Sequence, residues 1–222
     1  MGCRACAGVD VPHQDVAVRT QFASPDLIEA IVYRGLDLTE DPQWALSGAV
    51  DPDEYAYWAP RCCGMACLQM ILLHRDGVAP ALLPLLRGAH RRGAYVQCPD
   101  GSVLGLIYAP FVEYVQDEFG LLGEVRPELD VAGLVAQLRP GSDGVGRMLL
   151  ASVHREIRRP ERPAPGRGGH LVLVTGYDPL ADTISFANPS GHTSTARSAT
   201  LPTSVFAEFY AGRAVTVTLT GG

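Results

Sequence analysis

Three residues of this chain, Cys63, His170 and Asn188, have types and spacings suited to acyl chemistry. Cys63 stands directly before Gly64 and opens the run Gly64-Met-Ala-Cys-Leu-Gln-Met-Ile-Leu-Leu73, almost wholly apolar and free of proline and of charge. A run of that kind over about three turns predicts a buried helix with Cys63 at or just before its amino end. Unpaired N–H groups and the positive end of the helix dipole favour an anion there, so the thiolate should be favoured and the thiol pKa depressed. Gly64 would leave room for a substrate backbone. A cysteine beside an apolar helix is equally a small buried hydrophobe, so a nucleophile needs a base from elsewhere in the chain.

His170 is the candidate base. Leu171 to Thr175 is β-branched and aliphatic, Thr183 to Ala187 is a second strand pattern, and Tyr177 to Asp182 between them has turn chemistry. In a hairpin turning near Pro179, His170 and Asn188 each lie nine residues from the turn, so antiparallel pairing sets them side by side within a residue of register. A Cys/His/Asn set needs this arrangement. The imidazole takes the thiol proton and later protonates the leaving group, while the carboxamide fixes its tautomer and orientation. Gly169, with Gly168 before it, suits an open cleft through which substrate passes.

The blocks Cys63-Gly64-Met65-Ala66-Cys67-Leu68, His170-Leu-Val-Leu-Val-Thr-Gly-Tyr177 and Asn188-Pro189 together resemble the bacteriocin-processing peptidases. These are papain-like cysteine peptidases that cut precursors after a double-glycine leader, and they have stand-alone relatives. The likeness runs from about Tyr57 to Phe209 and is sharp only in the motif blocks. It implies Cys63 as nucleophile, His170 as general base and acid, and Asn188 as the orienting residue, a position often Asp in the family.

Two positions depart from the pattern. The family's oxyanion glutamine, about six residues before the nucleophile, falls at Tyr57, and Trp58 to Cys62 offers no replacement. A donor of this type is worth about 3 kcal/mol of transition-state stabilisation. The Tyr57 hydroxyl or Arg61 would have to substitute, or backbone N–H groups, that of Cys63 first, would have to suffice; otherwise the site is altered. The usual Asp before the nucleophile is Cys62, a neighbouring thiol that competes for oxidation.

Positioning these residues requires helices first and a sheet after. Ser24-Pro25-Asp26 predicts a helix over 27–33 with Ser24 as cap, and Asp51 to Glu54 reads as a loop feeding the nucleophile. Helices follow at 81–89, 110–119 and 129–138, the last ended by Pro140-Gly141. Met148 to Val153 is expected as the first strand of the sheet, then the strands bearing His170 and Asn188, then Ala214 to Leu219. This order is α+β. It matches the fold the resemblance implies, a papain-like one with the helical part that carries the nucleophile packed on an antiparallel sheet. Residues 1–24 are expected to be peripheral or poorly ordered, and 25–222 to form the peptidase domain.

Composition excludes several other classes. The 222 residues suffice for one buried core. All 18 basic residues are arginine, so lysine-dependent chemistry is absent. A net charge of −6 opposes general nucleic-acid binding, which needs a basic face. No apolar stretch approaches the roughly 20 residues of a membrane span, and the opening residues lack a signal-peptide core. The expectation is a free-standing cytoplasmic protein with a peptide substrate and no cofactor. The six cysteines do not form spaced pairs beyond Cys3-x-x-Cys6, so no metal site is assigned. Five arginines between His154 and Gly168 mark either a flap that contacts an acidic peptide or a solvated loop. The activity most consistent with these residues and the resemblance is cleavage of an amide bond in a peptide precursor, as in leader removal during maturation of ribosomal peptide natural products. The same triad also serves acyl transfer or macrocyclisation, and a fold lacking the oxyanion donor can serve as a leader-binding module.

Overall fold

A computed structural model of the chain describes residues 15–139 and 146–219. The first half is helical: α1 (Ile28–Arg34), α2 (Pro52–Trp58), α3 (Cys63–Asp76) and α4 (Leu82–Arg91). A small hairpin of β1 (Val96–Gln97) and β2 (Val103–Leu104) leads into α5 (Tyr108–Phe119), β3 (Leu122–Arg126) and α6 (Val131–Leu138). The second half is β4 (Arg147–His154), β5 (Gly169–Asp178), β6 (Thr183–Ala187), α7 (Ser194–Arg197), β7 (Ser198–Pro202), α8 (Thr203–Phe209) and β8 (Tyr210–Thr218). Six strands form one antiparallel sheet in the order β3-β8-β4-β5-β6-β7. The fold is therefore α+β, with the helical part that carries Cys63 packed on an antiparallel sheet. Among the described residues no helix is long and apolar enough to cross a membrane.

The sheet is buried on both faces, which explains why its central strands read as continuous apolar runs. Met148, Leu150, Leu171, Leu173, Val215 and Val217 pack against Met65, Leu68, Ile71 and Leu72 of α3 and the helices around it. The alternate residues Leu149, Ala151, Val172, Val174 and Ala214 face Leu134 of α6 and Phe206 and Phe209 of α8. Because α3 is buried nearly all round, it shows no polar face.

Four local expectations are corrected. Residues 51–58 are a helix start rather than a loop: the Asp51 carboxylate accepts from Glu54 N at 2.7 Å, with Pro52 at the first helical position. The sheet gains two strands, β7 beside β6 and β3 beside β8; the apolar alternation of β3 is masked by Gly123, where a side chain would stand 3.1 Å from Val112 of α5. Ser24 does not cap a helix, because its Oγ donates to Asp41 Oδ1 at 2.5 Å. Finally, of the described part of the 1–24 segment, residues 15–20 are exposed or half-buried, and the chain turns inward at Gln21. Gln21, Phe22 and Ser24 are buried, and Phe22 joins Ile28, Tyr55 and Ala59 in a separate apolar cluster.

Asp41 holds this amino-terminal layer together. Its buried carboxylate accepts from Ser24 Oγ, Ser24 N at 3.1 Å, Tyr55 Oη at 2.6 Å and Gln43 N at 2.9 Å. Burial alone would raise its pKa, but these hydrogen bonds outweigh it and the value is lowered. A folded pKa below the unfolded one means that Asp41 contributes stability above the ordinary carboxylate range and loses it as pH falls through the folded value. Asp41→Ala is expected to cost about 3 kcal/mol, because the donors it leaves are buried. Urea unfolding at pH 7 and at about pH 2.5 measures this, with the loss smaller at the lower pH.

Candidate active site

Cys63 is the first residue of α3, and Cys62 occupies the cap position without a side-chain cap bond. The thiol lines a cavity of about 340 Å³ with Leu106, Tyr108, Ser152, Gly169, His170, Leu171 and Arg213. A second cavity of about 650 Å³ adjoins it across Gly169 and His170, and is bounded by Gln21, Tyr33, Pro60, Arg155, Glu156 and Arg158 among others. Gly169 has a positive φ of 89° and open space where a side chain would point.

His170 and Asn188 meet. Their Nε2 and Oδ1 atoms are 2.9 Å apart, with His170 5% exposed and Asn188 fully buried. Asn188 lies just past β6 in a turn held by Asn188 N to Arg197 O at 2.8 Å and Gly191 N to Asn188 O at 3.1 Å. Its amide orientation is fixed by Ser190 N–H, which donates to Oδ1 at 3.1 Å; reversed, two donors would face each other. Oδ1 has no proton to give, so the proton between it and the ring belongs to Nε2. Nδ1 is then the ring nitrogen able to accept a proton.

Strand register brings a further residue to the ring. The β5–β6 ladder pairs Leu173 with Ala187, so continuing it sets His170 opposite Ser190, two residues beyond the symmetric estimate. Ser190 Oγ stands 3.0 Å from His170 Nε2 and 3.2 Å from Asn188 Oδ1, and it accepts from Arg158 Nε at 2.9 Å. The register itself was the signal for Ser190, whereas Arg158 lay in a segment read as a flap or a solvated loop. That segment forms a 3-10 turn over Arg155–Arg158, and Arg158 is only 9% exposed.

Electrostatics correct the expected thiolate. The N–H groups of Cys63, Gly64 and Leu171 do favour the anion, but burial outweighs them and pushes the Cys63 thiol up. Burial, with the Arg158 charge second, lowers His170 to about 3. Both shifts disfavour the charged forms of the pair.

Three sequence assignments place differently. The Tyr57 hydroxyl donates to Gly101 O at 3.3 Å, and Tyr57 is not among the residues lining the Cys63 cavity. Arg61 is engaged with the Tyr57 carbonyl and packs over its ring. Gly64 is closely packed, because a side chain there would stand 2.8 Å from Leu106 Cδ2 and 3.2 Å from Leu171 Cδ1. Gln21 was missed: it is 3% exposed, and it ties the Asn188 turn to the approach to Cys63 through Gln21 N to Pro189 O and Nε2 to Ala59 O, both 2.9 Å.

The other cysteines sort by burial. Cys62 and Cys67 are fully buried, and burial raises both thiols well above the ordinary range. Limiting iodoacetamide on the native protein is therefore expected to spare Cys62 and Cys67 and to modify Cys63 and the half-buried Cys98. Peptide mapping checks this, and modification of Cys62 as fast as Cys63 would contradict it. Cys3 and Cys6 lie outside the described residues. Among those described, no group of three or more His, Cys, Asp or Glu is placed to hold a metal.

No protein-family profile and no curated protein matches the chain. Among solved structures it is similar to the peptidase domain of Streptococcus ComA, a bifunctional ABC transporter of a quorum-sensing pathway, at 14% identity and TM-score 0.46, covering 71% of this chain and 91% of that one. It is similar to a double-glycine-motif protease from an AMS/PCAT transporter, solved with its leader peptide, at 14% identity and TM-score 0.45, covering 71% and 84%. A chain described as a C39-like peptidase from Bacillus anthracis aligns at 12% identity and TM-score 0.45, covering 71% and 88%. Likeness at this level is distant, and the chemistry below rests on the chain's own residues.

Proposed function

We propose that the chain is a thiol hydrolase that cleaves an amide bond in a peptide. The supporting observation is the 2.9 Å contact between His170 Nε2 and Asn188 Oδ1, with His170 and the first residue of α3, Cys63, lining one cavity. Burial disfavours the charged form of each group, so attack and proton transfer proceed together. Cys63 Sγ forms a bond to the substrate carbonyl carbon as its proton passes to His170 Nδ1. The carbonyl oxygen gains charge beside the Cys63 backbone N–H, one of the unpaired donors at the start of α3.

Collapse of this intermediate breaks the C–N bond, and the departing amine takes the proton from His170. Water then gives its proton to the same Nδ1 and attacks the thioester, which releases the acid and restores the thiol. Asn188 keeps the ring in one tautomer throughout and stabilises the transient imidazolium.

The substrate is a peptide, and the resemblance of the motif blocks favours a leader-bearing precursor in the maturation of a ribosomal peptide natural product. A mixture of diverse peptides incubated with the protein, followed by mass spectrometry of new termini, tests the activity. New termini that disappear with Cys63→Ala support it. No new termini, or termini unchanged in that variant, would overturn it.

A further inference from the structure

Arg158 is a buried cation with an unusual engagement. Its Nε–H donates to Ser190 Oγ, and its nearest carboxylate oxygen, on Glu156, is 3.8 Å away. A guanidinium only donates, so Ser190 keeps its hydroxyl proton for the opposite side, where Asn188 Oδ1 and His170 Nε2 lie. Nε2 already carries the proton shared with Oδ1. The serine proton therefore goes to Oδ1, which then holds the ring N–H, the Ser190 N–H and the Ser190 O–H together.

We propose that Arg158 and Ser190 are positioning residues of the His170 ring: the relay from Arg158 through Ser190 locks the ring on Asn188 and sets the guanidinium charge beside it. The inference rests on the hydrolase reading for its role in catalysis, though not for the geometry. The groups facing His170 are Cys63, Tyr108 and Arg213 in the smaller cavity, and Tyr33, Asp37, Arg155, Glu156 and Arg158 in the larger. His154 stands on the neighbouring strand. Of the charged groups, Arg158 weighs most on the ring, ahead of Arg155 and His154, and all three disfavour the imidazolium. Removing the charge should therefore raise the ring pKa. A neutral resting ring also leaves Cys63 as a thiol, which oxidises more slowly than a thiolate.

Nitrogen and carbon NMR of the His170 ring, assigned by its loss in His170→Gln, tests this on the whole chain. In the native protein the ring should be the Nε2–H tautomer. Arg158→Gln removes the charge while keeping an N–H donor, and should raise the titration midpoint by about one pH unit or more. Arg158→Lys keeps the charge and should hold the midpoint near the native one. Ser190→Ala should mix the tautomers. A native Nδ1–H tautomer would overturn the lock, and this readout needs no substitution. A titration in Arg158→Gln that overlays the native one would overturn the charge control. The ring titrates whether or not a peptide is cut, so the expected shifts without peptide cleavage would count against the hydrolase reading alone.

Discussion

Cys63→Ala is expected to abolish peptide cleavage, with kcat falling on the order of 10⁶ toward the uncatalysed rate, as when a serine hydrolase loses its nucleophile. No neighbouring thiol can stand in. Cys62 and Cys67 are fully buried, and Cys62, as the helix cap, is directed into the core that contains Trp58 and Tyr95. The fold should survive, because Cys63 is only partly buried and alanine is a good helix former at that position. Cleavage of the best peptide from the profiling, measured beside circular dichroism, checks both halves. Retention of more than about 1% of the native rate would exclude Cys63 as nucleophile.

His170→Gln should lower the rate on the order of 10⁴, since both acylation and deacylation lose their general base. Glutamine can still bond Asn188 and Ser190, so the loss reports proton transfer rather than a collapsed pocket. The lowered pKa of His170, about 3, also sets the shape of the pH profile. A base works above its pKa, so the native enzyme should keep its activity as pH falls through 6.5, where an unperturbed imidazole would be half protonated. Activity should then fall only where the fold itself fails, below the carboxylate range in which Asp41 ceases to contribute. Steady-state rates from pH 4 to 9 test this, and a limb near pH 6.5 that vanishes in His170→Gln would contradict the neutral-base account.

What the sequence discloses is the local part of this site. Apolar runs identify α3, β4, β5 and β8, and the turn near Pro179 identifies the hairpin, whose register sets His170 opposite Ser190 while the turn after β6 carries Asn188 to the ring. The sign of the thiol shift is not local. The helix-end donors are legible at Cys63-Gly64, but the burial that outweighs them comes from residues far along the chain, including Tyr108 and Leu171. Gly64 shows the same limit, because the atoms that need its missing side chain belong to Leu106 and Leu171. Ser190 follows from a two-residue correction of register. Arg158 has no sequence signal, because only the fold turns an arginine of a charged loop inward to a serine beside the base. Gln21 was hidden by its place in a segment with no periodic pattern, yet it bridges the two halves of the site.

The central claim is that Cys63 attacks with His170 as its base. The most direct measurement is intact-mass detection of acetyl transfer from p-nitrophenyl acetate, with the modified residue mapped, on native protein and His170→Gln. The account predicts a single acetyl on Cys63 that forms and is then hydrolysed, with formation slowed at least about 10²-fold in His170→Gln. Equal rates in the two proteins, or acetyl spread over several cysteines, would contradict it.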